Sequence, residues 1–340
     1  MKQLLSTLLV SAAVSVSVAG TAFAADYNFK FQSSDPSGNS NFILQQGWTE
    51  RVKAMSDGKI EVELLPVNSI VAHTETQDAI AGGILDGHIT DTSYFSGRDP
   101  AFGLIANPVG AWSAPQEMFD FMATGGGKEL MNELVEPYGL HFIGATTPGL
   151  EAFISKKPLN SVAGLKGLKM RAPEGLVQQV FAAAGASPVN LPGSEVFTSL
   201  DKGVIDAADY SVYSTNDAQG MHDVAPFPVY PGFHSMPLVE ISMNKQKWDK
   251  LPADLQEVME NSVTEFAKSQ VAALSEKDMA AVEKAKAGGK VTVSDWSAEE
   301  RAKFRTIATS QWVKVAERSP NAKKVYDVLT TYLKTNGLMN

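Results

Sequence analysis

Tyr27-Asn28-Phe29-Lys30-Phe31 and Ile60-Glu61-Val62-Glu63-Leu64 alternate apolar and polar residues strictly, which is the period-2 signature of half-buried strands. Between them Leu44, Trp48, Val52 and Met55 recur every three or four residues, and Asp57-Gly58 closes the stretch with turn chemistry. A helix therefore joins the two strands. Strands linked through a helix run parallel with a right-handed crossover, so this opening unit predicts an α/β layer structure. In such sheets ligands bind beyond the strand ends.

A second α/β series is expected from near Phe142. It has a strand Leu165 to Arg171, a helix through Val177, Val180 and Phe181 ended by Gly185, and a strand Ile205 to Tyr210. Two lobes follow. Ser113-Ala114-Pro115-Gln116 reads as a capped helix start with Ser113 as the capping hydroxyl and Gln116 at the third helical position. From Lys250-Leu251-Pro252 a helical pattern runs through Leu255, Met259, Phe266 and Leu274 and ends only at Gly288-Gly289. Such a helix of about 35 residues would be roughly 50 Å long, enough to span both lobes. A short strand Val291 to Val293 and a Ser297-to-Glu300 capping box precede a last amphipathic region.

Composition narrows the function. The chain has 340 residues, 20% of them charged and 44% apolar, which suits one large or two medium globular domains. Lys plus Arg number 29 against 38 Asp plus Glu, and nucleic-acid binding would need the opposite excess. No nucleic-acid partner is expected. Cysteine is absent, which removes thiolate nucleophiles, Cys-based zinc sites and iron-sulfur clusters. The five histidines form no metalloprotease pair, and there is no hydrolase nucleophile elbow. A binding protein is therefore favoured over an enzyme acting on small carboxylates. Residues 1–24, with Lys2, the apolar run from Leu4 to Ala19 and Ala22-Phe23-Ala24, read as a secretory signal peptide cleaved after Ala24. The mature protein is expected in the periplasm.

Leu168-Lys169-Met170-Arg171 ends a strand before Ala172-Pro173, so Arg171 sits where an α/β lobe presents its ligand face. A guanidinium grips a carboxylate through two parallel charge-assisted hydrogen bonds. From residue type alone a solvated surface ion pair is the competing reading.

The stretch Gly164-Leu165-Lys166-Gly167-Leu168-Lys169-Met170-Arg171 resembles the "DLKGLKMR" strand of the DctP-type extracytoplasmic solute receptors of TRAP transporters. Leu191 to Glu195, Gly203 to Asp209, Ala79 to Asp86 and Lys245 to Pro252 are similar to further segments of that family, in the same order. The resemblance implies a two-lobed periplasmic-binding-protein-like α/β fold with a long interlobe helix. Lobe I would take 25–147 with about 238–270, and lobe II 148–237 with about 271–340, the C-terminal helix included. It also implies a receptor that closes over one small organic acid, gripped by Arg171, and delivers it to the membrane permease subunits of the transporter.

Tyr230-Pro231-Gly232-Phe233-His234 and Asp209-Tyr210 look most like the 2-oxo acid and lactate branch, whose members often bind a cation beside the ligand and pair into homodimers. Asp209 stands where that branch has Glu, Tyr210 and Phe233 where it has Trp, and Glu151 near a position where sialate receptors have a second Arg. The resemblance therefore leaves a 2-oxo or 2-hydroxy monocarboxylate, a dicarboxylate, an aromatic acid and an amine-bearing ligand all open. Tyr94, Phe95, Tyr210 and Phe233 are candidate pocket walls, with lobe core as the alternative, and Asn216 is either an amide contact or a helix cap. Glu151 and Asp209, with Tyr210, are candidate holders of Ca2+ or Na+ bridging the ligand. The alternatives are a cationic ligand group, or a surface pair of Glu151 with Lys156 or Lys157.

Overall fold

The computed structural model describes residues 25–339; the expected signal peptide lies outside the described residues. Nine strands form two sheets. The first, in the order β2-β1-β3-β9-β4, comprises β1 (Tyr27–Ser33), β2 (Ile60–Leu65), β3 (Gly87–Asp91), β4 (Leu140–Thr146) and β9 (Val239–Asn244). The second, in the order β5-β8-β6-β7, comprises β5 (Ala152–Ser155), β6 (Lys169–Arg171), β7 (Ser187–Val189) and β8 (Ala207–Ser211). β1 pairs in parallel with β2, Tyr27 opposite Ile60 and Phe31 opposite Leu64, and in parallel with β3. β9 returns from the second lobe and runs antiparallel between β3 and β4.

The opening β-α-β unit is as expected. Asn39 caps helix Ser40–Met55 by accepting from the Asn41 amide, and Trp48 and Val52 are fully buried beneath it. Trp48 Nε1 donates to Ser262 Oγ (3.0 Å) of the long helix Ala253–Gly288. The first half of that helix packs on β4 and on Ser40–Met55. Its second half reaches the other lobe at helix Tyr213–Ala218, where Asp278 Oδ1 accepts from the Ser214 amide (2.7 Å).

Several local expectations are corrected. The strand foreseen from Leu165 is only Lys169–Arg171, because Val162–Leu165 is a 3-10 turn and Gly167 takes φ +72. Phe142 lies in β4 of the first sheet, so the second series starts at β5. The strand from Ile205 begins at Ala207. Val291 to Val293 forms no strand; Ser294 makes a single bridge to Val229. Helix Pro115–Thr124 is capped from Ala114, with the Glu117 carboxylate accepting from the Ser113 amide (2.6 Å), rather than by a Ser113 hydroxyl.

The C-terminal helix Pro320–Thr335, expected with lobe II, packs instead on Pro100–Ala106 and Gly127–Val135 of the first lobe. Its Val325, Leu329 and Leu333 complete that core, and Tyr332 meets Phe121 and Trp112. The preceding helix Ala298–Ala316 touches both lobes, packing on Leu176–Ala183 and on Pro100–Ala106. From it Arg301 donates to the carbonyls of Gly232 (Nη1, 2.6 Å) and Pro231 (Nη2, 2.9 Å) and so pins the loop before β9.

That loop runs close along β5. A Cβ on Gly232 would stand 1.8 Å from the Glu151 carbonyl oxygen, and a backbone obstacle cannot be relieved by a rotamer change. Gly232→Ala is expected to destabilise by about 1–3 kcal/mol or more, lowering Tm by roughly 2–4 °C per kcal/mol. Gly47→Ala, in helix Ser40–Met55 with open space around its Cβ, should instead raise it. Calorimetric scans of the two variants check this; an unchanged Tm in Gly232→Ala would refute the close approach.

Candidate functional site

The ends of both sheets meet at a cavity of about 60 Å3. Asp35, Asn41, Asp91 and Tyr94 face it from the first lobe, and Glu151, Arg171 and Tyr210 from the second. Asp35 follows β1 and Asp91 ends β3, while Arg171 ends β6. The strand-end rule thus holds in both lobes.

Arg171 is 3% exposed. Register with Val189 on one side and Ala208 on the other fixes its backbone. Its Nε donates to Leu191 O (3.1 Å) and Nη1 to Asp209 O (2.7 Å). Two main-chain carbonyls therefore fix the guanidinium plane, and the remaining edge lies toward Tyr94 and the cavity. Burial by itself would lower its pKa, but Tyr94, Asp209 and Glu151 around it raise it above its ordinary value. The group is a permanent cation.

Beside it stand Glu151, Asp209 and His234, with one donor atom of each within 4.8 Å of the others, all buried. His234 Nε2 lies 3.2 Å from Asp209 Oδ1, and Ser235 Oγ donates to Glu151 Oε2 (2.5 Å) while accepting from Asn107 Nδ2 (2.6 Å). Burial, and then the Asp209 charge, push Glu151 well above the usual carboxylate range. Burial would raise Asp209 too, but His234, the neighbouring Glu151 carboxyl and Arg171 hold it below its ordinary value. Two carboxyls this close do not both ionise readily, and their shifts run in opposite directions, Glu151 up and Asp209 down.

Asp209 Oδ2 is buried with no partner among the described residues. An orphaned carboxylate oxygen beside a second carboxyl fits a hard cation with oxygen ligands. His234, whose Nε2 is engaged on Asp209, orients that carboxylate.

Of the residues singled out from the sequence, Arg171, Glu151, Tyr94 and Tyr210 come together at the cavity, and Asp209 stands behind them, against Glu151. The Tyr210 hydroxyl is held elsewhere, accepting from Asn39 Nδ2 (3.3 Å) and donating to Gln219 Oε1 (3.0 Å), so its side chain is not part of the carboxylate cluster.

Three others lie in the core. Phe95 packs on His88 and Phe102, because it follows Tyr94 in the 3-10 turn Thr92–Phe95 and points the other way. Phe233 stacks on Trp296, with ring centroids 3.8 Å apart, a partner too distant in sequence to be foreseen. Asn216 is a brace, donating to Ala152 O (3.1 Å) and Ser211 O (2.9 Å). Asp35, Asn41 and Asp91 were not anticipated, although the strand-end argument that selects Arg171 applies equally to both acids. His234, whose role the sequence leaves open, joins the cluster.

Comparison with known proteins bears on this cavity. A monocarboxylate 2-oxoacid-binding periplasmic protein of Nostoc sp. is 27% identical over 262 residues, which cover 76% of this chain and 71% of that one. A TRAP periplasmic solute binding protein of Rhodobacter sphaeroides, solved as an apo open structure, is 64% identical. It covers 92% of this chain and 99% of its own, with a TM-score of 0.77. One from Pseudoalteromonas atlantica, solved with bound sodium and pyruvate, is 23% identical, covers 92% and 95%, and has a TM-score of 0.82. The model of the DctP family, bacterial extracellular solute-binding protein family 7, matches residues 32–319, and the chain belongs to that family of solute receptors, which are not enzymes.

Proposed function

We propose that this TRAP solute receptor takes a small 2-oxo or 2-hydroxy monocarboxylate between its lobes, its carboxylate on Arg171, with Ca2+ or Na+ held at Glu151 and Asp209. The single observation that carries the reading is the buried, doubly anchored guanidinium facing a small cavity between the sheet ends. At about 10–15 Å3 for each water-sized group, a cavity of about 60 Å3 admits a molecule of the size of lactate or pyruvate. The name of the Nostoc relative and the ligands of the Pseudoalteromonas structure support the same class. Export with cleavage after Ala24, delivery to the permease subunits and pairing into a homodimer complete the reading.

The lobes would be 25–147 with about 238–270 and the C-terminal helix, and 148–237 with the rest of the long helix. They would hinge near 146–149 and 235–238, where the chain crosses between the sheets. The 64%-identical apo open structure superposes at a TM-score of only 0.77, which supports two lobe arrangements of one fold. Small-angle scattering on the purified protein should show a smaller radius of gyration with saturating ligand; an unchanged radius would refute closure.

Arg171→Ala should leave the fold intact and weaken binding of lactate or pyruvate by about 2–5 kcal/mol, roughly 30-fold to several thousand-fold. Arg171→Lys should lose nearly as much, since an ammonium cannot replace the fork. Calorimetric titration at wild-type affinity in the alanine variant would take Arg171 out of the site.

Exhaustive chelation, or Asp209→Asn, should weaken the same titration. The sign of its pH dependence follows from Glu151, whose raised pKa means that a cation must displace its proton. Cation affinity should therefore increase with pH until that group ionises unaided. Undiminished ligand affinity after metal removal would reject the bridging ion.

A further inference from the structure

The two walls of the cavity are chemically opposite. The second-lobe wall offers the Arg171 guanidinium, a group with donors only. The first-lobe wall, apart from the Tyr94 hydroxyl that lies against Arg171, offers acceptors. Asp35 takes one hydrogen bond from Gln45 Nε2 (2.9 Å), and Asp91 takes one from the Ser93 amide (2.8 Å). An ionised carboxylate has about four lone-pair sites, so each keeps acceptor capacity, and both line the cavity.

Burial raises each of the two carboxyls to a pKa of about 6, which leaves them mostly ionised at neutral pH. Between the walls lies Asn41, 7% exposed, whose Oδ1 is buried without a partner while its Nδ2 reaches Ser211 Oγ (3.5 Å). The neighbouring amide donors are already engaged, that of Asn39 on Tyr210 and that of Gln45 on Asp35.

We infer that the receptor requires a ligand with hydrogen-bond donors directed at Asp35 and Asp91 while its carboxylate sits on Arg171, so that a 2-hydroxy or 2-amino acid binds more tightly than the 2-oxo acid of the same skeleton. This rests on the carboxylate-receptor reading and sharpens it. A 2-oxo group brings only lone pairs to this wall. It would face two half-buried carboxylates and the unpartnered Asn41 amide oxygen, which repel its lone pairs. A hydroxyl or an ammonium supplies the missing donor. Sites built to hydrogen-bond a substrate OH or NH discriminate far more strongly against the analogue lacking it than apolar pockets discriminate by size.

The test is calorimetric titration of the full mature protein, metal-replete, with lactate, alanine and pyruvate, which share one carbon skeleton. Lactate or alanine should bind at least about tenfold more tightly than pyruvate, equivalent to about 1.4 kcal/mol. Whichever of the two is tighter identifies the donor as hydroxyl or ammonium. In Asp35→Asn and Asp91→Asn, each checked for an unchanged Tm, the advantage over pyruvate should shrink, because an amide offers pyruvate a donor. Pyruvate binding as tightly as both others, or a preference untouched in both variants, would overturn the inference while leaving the carboxylate reading standing. Failure of all three acids to bind the wild-type protein would overturn that reading as well.

Discussion

A guanidinium taken almost wholly out of water is costly unless fixed hydrogen bonds and neighbouring negative charge replace its hydration. Arg171 meets that requirement with two main-chain carbonyls and the Asp209 charge, and much of the second lobe follows from it. The Asp209 carbonyl must be presented by β8, and the Leu191 carbonyl by the loop after β7. A three-residue β6, pairing in parallel with β7 on one side and β8 on the other, delivers the Arg between them. The turn at Val162–Leu165 and Gly167 shortens the strand that the sequence pattern extends to Leu165. Its end is nevertheless where the pattern puts it.

The carboxylate pair is organised from farther away. Arg301, on a helix touching both lobes, holds the carbonyls of Pro231 and Gly232. The loop so fixed places His234 against Asp209 and Ser235 against Glu151. Phe233, just before them in sequence, is turned into the core and stacks on Trp296. The aromatic anchors the loop, and its neighbours do the polar work. A Cβ at Gly232 has no room because the loop lies directly on the Glu151 backbone.

Legibility follows the range of the interactions. The alternating strands, the Asp57-Gly58 turn and the long helix were readable because they are set within a few residues by period and capping. Arg171 was readable because strand ends face ligands. Which of two adjacent aromatics faces the cavity was not, since Tyr94 and Phe95 differ only in direction around one 3-10 turn. The stacking of Phe233 on Trp296 and the docking of Pro320–Thr335 on the first lobe depend on contacts between distant segments. Asp35 and Asp91 are a different case. The rule that chose Arg171 reaches them, and only attention to the first lobe was lacking.

Those two acids also bear on why the lobes should open at all. Asp91, on the first lobe, stands close enough to the second that its charge raises Glu151, and Asp209 in turn raises Asp91. If the empty cleft closes as proposed, these charges come together with Arg171 and His234 as the groups that offset them. A ligand shifts an equilibrium only by what it gains in one state over the other. Here that difference is built into the walls, because a donor group against Asp35 and Asp91, or a cation at Glu151 and Asp209, relieves repulsion that exists only when the lobes are together. On the proposed reading, the same groups that would select the ligand would also make closure depend on it.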